Sequence, residues 1–380
     1  MTTILASHGA LGPTLDAAAL ATTLGHVFEA NALASAHGEV PTPVCIWGAH
    51  AIGKTSLVRE IARNKGWGFA EIAPAQIEEI GDLHGLPTRL DGGTGNAKDG
   101  TTGFLPPAWV PQTKGPGILL LDDLNRADER VLRALYQLLQ THRLYSWALP
   151  VGWQIVCTAN PDSGVYAVTP MDDALLTRML HFAMTFDAGV WARWAHDAGV
   201  DERCVEFVMC YPEAVLGRRT TPRTIVQLAR LLAPIPDFNK ARALVTQLAQ
   251  ATLDGATASS FVRFACDEHR QLATAKDVLD APTPQEATRL IIAAATDHTR
   301  GGCLRIDRVG LVISRVEEAI EADDYVPGNR HGANLSAVLA CTDVPRDMAM
   351  RLHRSLARKN LGHLVRDRAV AKRLLSQGAS

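Results

Sequence analysis

The chain has 380 residues, 47% hydrophobic and 21% charged, with a formal net charge of −2. Those values fit a soluble globular protein of two or three packed units, and they exclude a global field that would draw it to nucleic acid or to a membrane surface. Seven cysteines without a C-x-x-C pair, no apolar run near the length of a bilayer span and no basic-then-apolar N-terminus point to a cytoplasmic protein with reduced core thiols.

Residues 14 to 37 read as a helix, with Leu15, Ala19, Leu24, Val27 and Phe28 on its apolar side and Gly38 and Pro41 as its stop. Val44 to Trp47 is a short apolar run and reads as a buried strand. It leads into Gly48, Ala49, His50, Ala51, Ile52, Gly53, Lys54 and Thr55, which fit the pattern G-x-x-x-x-G-K-[ST], and then into a helix from Ser56. Strand, glycine-bounded loop and helix are the context this phosphate-binding motif requires. Backbone N–H groups and the positive helix end suit phosphate oxygens. Lys54 is placed for the β- and γ-phosphates of ATP, and the Thr55 hydroxyl for Mg²⁺.

Phe69 to Ala73 is a second strand, and residues 75 to 82 a short helix. Asp91 to Gly103 is rich in Gly, Asp, Asn and Thr, which is turn chemistry. With its flanks, 88 to 105, it forms either a hairpin or a surface loop. Ile118 to Leu121 runs straight into Asp122 and Asp123, as a central parallel strand does when acids sit at its C-terminal end. That geometry gives Asp122 to the hydration shell of Mg²⁺ and Asp123 to an attacking water. An amphipathic helix over 128–142, a strand over 144–149, a buried strand over 154–160 ending at the amide of Asn160, and a helix over 172–180 bearing Arg178 follow. From 188 onward the pattern is helical, near 188–197, 201–211, 222–233, 239–252, 258–277, 284–298, 307–321, 333–341, 345–359 and 362–376.

Five short motifs come in one order: Gly48 to Thr55, Leu119 to Arg126 (LLLDDLNR), Cys157 to Pro161 (CTANP), Leu175 to Met179 (LLTRM) and Thr221 to Ile225 (TPRTI). Together they resemble the AAA+ ATPases, and within them the MoxR-like group, over roughly residues 14 to 270. The resemblance implies an α/β fold, an αβα sandwich on a parallel sheet over 1–187, then a helical lid over 188–271 and an all-α C-terminal extension over 272–380. It implies nucleotide contacts from Gly48 to Ser56 and Mg²⁺ held through Thr55 and Asp122. It also implies catalytic roles for Asp123, for Asn160 as first sensor, for Arg178 as an arginine finger acting on a neighbouring subunit, and for Arg223 as second sensor. The candidate hairpins at 88–105 and 143–154 are similar to client-facing inserts of that clade. The partners so implied are copies of the chain in a hexameric ring and a separate client protein, with von Willebrand A domain proteins among the candidates. Asp123 stands where the family usually has glutamate, so slow turnover is expected. Arg178 lacks the family's preceding acid and following phenylalanine.

Two other readings stand beside a protein-remodelling ATPase. One is a clamp-loader-like or McrB-like motor on nucleic acid. Arg346, Arg351, Arg354, Arg358, Lys359, Arg366, Arg368, Lys372 and Arg373 face only Asp343, Asp347 and Asp367 in that stretch. The spacing of Arg351, Arg354 and Arg358 makes one cationic helix face, but no aromatic residue follows Tyr325 to stack on bases. The other is a nucleotide-gated scaffold that hardly hydrolyses ATP.

Overall fold

Apolar runs flanked by turn residues become the strands of a parallel sheet. The computed structural model describes residues 11–90, 100–145, 147–162, 168–268, 272–297, 303–304, 306–321, 328 and 330–375. The chain divides into two units, Met1–Trp191 and Ala192–Ser380.

In the first unit the order is β1 (Thr14–Leu15), α1 (Ala17–Ala36), β2 (Val44–Trp47), α2 (Lys54–Lys65), β3 (Gly68–Ile72), a 3-10 turn (Pro74–Gln76), α3 (Gly81–His84), β4 (Leu86–Leu90) and β5 (Thr101–Leu105). Then come β6 (Gly117–Leu121), a 3-10 turn (Leu124–Arg126), α4 (Glu129–Thr141), β7 (Arg143–Leu144), β8 (Trp147–Ala148), β9 (Trp153–Ala159), α5 (Asp173–Leu176) and β10 (Leu180–Met184), and α6 (Ala188–Asp197) runs across the division between the units. Six of the strands form one parallel sheet in the order β1-β10-β2-β9-β6-β3.

Alternation sorts the central strands' side chains between two cores. Ile118, Leu120, Val156 and Ile46 pack with Leu20, Leu24 and Phe28 of α1 and Val58 of α2. Leu119, Leu121, Ile155 and Cys157 pack with Leu132, Leu135 and Leu139 of α4. Being covered on both faces is why β2, β6 and β9 read as unbroken apolar runs.

The parallel sheet and the helical second half are as expected. Several elements differ in detail. Asp16 accepts hydrogen bonds from the backbone N–H groups of Ala18 and Ala19, so α1 starts after it, and Thr14–Leu15 joins the sheet. The helix expected over 75–82 is a 3-10 turn followed by α3. β4 and β5 form an antiparallel ribbon with Leu86 opposite Leu105, while its tip, 91–99, lies outside the described residues. The strand expected over 144–149 is a two-residue ladder of β7 and β8. The helix expected to reach residue 180 stops at Leu176, and the Leu180 N–H donates to the Pro43 carbonyl as β10 enters the sheet. Sheet pairing overrides the helical spacing there.

The second unit comprises α7 (Glu202–Cys210), a 3-10 turn (Pro212–Leu216), α8 (Pro222–Leu232), α9 (Arg242–Thr252), α10 (Gly255–Arg263) and a π turn (Phe264–Glu268). It continues with α11 (Ala275–Leu279), α12 (Pro284–Ala295), β11 (Thr296–Asp297), β12 (Cys303–Leu304), α13 (Ile306–Glu321), α14 (His331–Ala340), α15 (Arg346–Arg358), a 3-10 turn (Gly362–Val365) and α16 (Arg368–Leu375). Side-chain caps set the starts: Asp201, Asp254, and the reciprocal capping pairs Thr221–Thr224 and Thr274–Asp277. The segments expected over 258–277 and 362–376 are each broken by a tighter or wider turn, and the antiparallel β11–β12 pair interrupts the all-helical reading.

Charge placement also corrects the reading of the C-terminal stretch. Arg351 pairs with Glu317 at 2.9 Å and Arg358 with Glu321 at 2.7 Å, both acids on α13. Arg346 and Arg373 donate to backbone carbonyls, of Leu374 and of Leu339 and Val344. The three-arginine face of α15 is thus largely turned to the unit's own acids. Arg315 of α13 makes a buried fork with Glu206 of α7 and donates to the carbonyls of Leu272 and Ala273.

Cys45, Cys157, Cys204, Cys210 and Cys266 are buried free thiols, and Cys341 is half-buried. Burial pushes the thiols of Cys45, Cys157 and Cys204 up. No described helix is long and apolar enough to cross a membrane.

Candidate nucleotide site

β2 delivers the chain to Gly48 at the C-terminal edge of the sheet. A side chain at Gly48 would meet the Met184 carbonyl of β10 and the Ile52 side chain at 2.8 Å, so only glycine fits. Ala51 and Gly53 take left-handed φ values of 59° and 106°, which curl the loop back to the start of α2. The first turn of α2 has no capping side chain and no acid. The backbone N–H groups of that turn therefore meet no capping side chain, the arrangement that suits a phosphate. His50, Ala49 and Ile52 lie in the loop, and Ser56 in that first turn.

Lys54 is 6% exposed and folds back over the loop. Its Nζ donates to the carbonyls of Gly48 (2.7 Å) and Ala49 (2.9 Å) and to Asn160 Oδ1 (3.1 Å). Beside it the Thr55 hydroxyl donates to Asp122 Oδ1 at 2.7 Å. Thr158, fully buried on β9, donates to the same oxygen at 2.6 Å and accepts from the Asp123 N–H at 2.8 Å.

Asp123 has φ 52°, a left-handed conformation that costs a non-glycine residue energy and is enriched at functional sites. Its Oδ1 accepts from Asn160 Nδ2 at 2.8 Å, and its Oδ2 lies 3.3 Å from Arg126 Nε. Asn160 is fixed in turn by Asn125, whose side chain accepts from the Asn160 N–H (3.0 Å) and donates to its carbonyl (2.7 Å). Lys54 can only donate and a carboxylate can only accept, so the Asn160 amide has one allowed orientation.

Lys54, Thr55, Asp122, Asp123 and Asn160 are therefore joined in one hydrogen-bonded chain. Thr158 and Asn125 belong to it and were not singled out from the sequence. The T-x-N spacing was the available signal for Thr158, since residues two apart share a strand face. The chain matches a polyphosphate carrying a hard divalent cation. Among the described residues no three His, Cys, Asp or Glu side chains gather as an all-protein metal cage. A hydroxyl beside one carboxylate suits Mg²⁺, which takes few protein ligands and keeps water and phosphate oxygens.

Arg178 stands apart from this cluster. It donates to Gln140 Oε1 (3.1 Å) and to the Ala174 carbonyl, and its guanidinium lies 5.3 Å from the Tyr136 ring. Tyr136 is pushed up to about 12, by burial first and then by its hydrogen bond to Asp172. Arg223 is the exposed second residue of α8, in the second unit.

No family model matches the chain. A stretch of 122 residues, 32% of the chain, is 29% identical to part of midasin from Dictyostelium discoideum, and it spans 2% of that protein's length. Among solved structures, a point mutant of RuvB from Thermotoga maritima aligns over 80% of this chain and 84% of its own, at 16% identity and a TM-score of 0.37. NtrX from Brucella abortus, in complex with ADP, aligns over 90% and 68%, at 15% identity and a TM-score of 0.37. Likeness at that level carries no statement about what this chain does.

Proposed function

We propose that the chain is an AAA+ ATPase of the MoxR-like kind, which binds ATP with Mg²⁺ at Gly48 to Ser56 and hydrolyses it slowly to remodel a separate client protein. The observation that carries this is the continuous hydrogen-bonded chain from Thr55 through Asp122, Thr158, Asp123 and Asn160 to Lys54. Its members are the groups that phosphoryl transfer to water needs, where positioning and charge neutralisation supply the catalysis.

In this reading Lys54 exchanges the loop carbonyls for the β- and γ-phosphates. Thr55 and Asp122 would hold Mg²⁺, which supplies charge neutralisation on the phosphate oxygens. Asp123 orients a water and accepts its proton, and Asn160 keeps Asp123 and Lys54 in fixed relation. Arg178 serves a neighbouring copy in a ring, six-membered on the family resemblance. Arg223 is assigned to nucleotide sensing on that resemblance alone, as are a lid over 188–271 and a C-terminal domain over 272–380. The nucleotide-gated scaffold has support of its own, because both oxygens of Asp123 are engaged, by Asn160 and by Arg126.

Calorimetry and a phosphate-release assay test the reading. Lys54→Ala should weaken ATP binding by at least about 100-fold. Asp123→Asn should keep that affinity and lower turnover by about 100-fold or more. Unchanged affinity in the first variant removes the site. Binding by wild type without turnover, at a concentration where it self-assembles and with its client added, favours the scaffold.

A further inference from the structure

Arg178 and the phosphate loop of the same chain sit at opposite edges of the sheet. β10 begins with Leu180 beside Val44 and places Ala183 beside Trp47, the residue before Gly48. Four strand steps of about 3.3 Å put on the order of 13 Å between the arginine's turn and the loop, further than an arginine side chain reaches.

The two are nevertheless joined along β10 at two points. Trp47 Nε1 lies 2.9 Å from His181 Nδ1, and His181 Nε2 lies 2.7 Å from the carbonyl oxygen of Leu176. An indole N–H can only donate, so Nδ1 accepts and Nε2 carries the proton and donates to the carbonyl. The imidazole thereby bridges the root of the phosphate loop to a residue two before Arg178. At the other end of β10 the Met184 carbonyl abuts Gly48 so closely that a Cβ there would come within 2.8 Å.

We infer that His181 couples the position of Arg178 to the phosphate loop of its own chain, and so makes nucleotide use cooperative between copies; the inference rests on the reading of Arg178 as a residue that meets a neighbour's nucleotide. A phosphate that draws Arg178 away from Gln140 and Ala174 moves the Leu176 carbonyl. His181 keeps its hydrogen bond to that carbonyl, Trp47 keeps its bond to His181, and Gly48 follows Trp47. His181 is a positioning residue: it touches no substrate, and it acts through Trp47.

The test is steady-state ATP hydrolysis against ATP concentration, with full-length protein at a concentration where size exclusion shows it assembled. Wild type should give a sigmoidal curve with a Hill coefficient of about 2. His181→Phe keeps a ring and loses both polar contacts, and Trp47→Phe loses the indole N–H together with part of the ring's packing surface. Both should fall to a Hill coefficient of about 1, with the saturating rate within about threefold of wild type, and His181→Gln should restore the sigmoid. Curves as sigmoidal as wild type in both variants overturn the inference, as does a hyperbolic wild type. Trp47→Phe covers the case in which His181→Phe does not fold. An Arg178→Ala protein that hydrolyses like wild type, or a wild type without turnover, would instead show that the underlying reading of Arg178 fails, and the inference with it.

Discussion

One hydroxyl, on Thr158, donates to the Asp122 carboxylate and accepts from the Asp123 backbone N–H at the head of β6. Thr158→Val keeps the shape and removes that hydroxyl. The Asp123 N–H then loses its partner in a part-buried place, at a cost of about 1 kcal/mol, and the Asp122 side chain is held by Thr55 alone. The half-saturating Mg²⁺ concentration for ATP hydrolysis should rise about tenfold, which corresponds to about 1.4 kcal/mol, with a lower melting temperature. Thr158→Ser should restore the Mg²⁺ dependence. If Val leaves that dependence unchanged, the hydroxyl only stabilises the fold. At this scale the short motifs marked Lys54, Thr55, Asp122, Asp123 and Asn160, which the structure brings together, and they also contain Thr158 and Asn125 without marking them. Thr158, Asn125 and His181 act through hydrogen bonds that cross from one strand or turn to another, and periodicity in one segment holds no record of its neighbour.

Elements were legible in proportion to how completely they are buried. β2, β6 and β9 announce themselves as apolar runs because both sheet faces are covered. β10 did not, because Leu180–Met184 continues from a one-turn helix and carries a histidine whose value lies in its partners. The end of α4 shows another such histidine. His142 takes φ 53° as the C-cap and is 8% exposed, and burial pushes its imidazole down from 6.5 to about 4. The unfolded chain therefore binds a proton near pH 6.5 that the folded chain binds only near pH 4. Stability from this group is full above about pH 6.5 and is lost as the pH falls toward 4, by up to about 3 kcal/mol. Asparagine tolerates the left-handed conformation and carries no such proton. Thermal melts should show His142→Asn losing less stability than wild type between about pH 7.5 and pH 5, by about 2 kcal/mol. Parallel losses in the two proteins would place the acid sensitivity elsewhere. The acids with lowered values, such as Asp267 beside Arg242 and Asp277 beside Thr274, act at lower pH, and His84, lowered by burial, and Glu317 and Glu318, raised by burial, are common to both proteins and cancel in the comparison.

For the molecule as a whole, the open choice is between a protein client and nucleic acid, and it turns on where the cations of the second unit point. The sequence alone made α15 look like a cationic face, because the acids that answer it lie some thirty residues upstream, on α13. With Arg351 on Glu317 and Arg358 on Glu321, only Arg354 of the three-arginine set is exposed without a carboxylate partner among the described residues. Each phosphate contact adds about 0.9 to the salt slope of binding, so a tight complex needs several cations free to act together. A net charge of −2 supplies no reinforcing field, and no aromatic residue follows Tyr325 to stack on bases. The assembled protein should therefore show no shifted band with single- or double-stranded DNA at micromolar concentration and physiological salt. Reversing Arg351 or Arg358 to Glu is the wrong probe, because it sets like charges against α13 and costs stability. Arg354→Glu with Arg368→Glu leaves those pairs intact. Binding that is tight at physiological salt, weakens steeply as salt is raised, and is lost in that double variant would replace the protein client with nucleic acid.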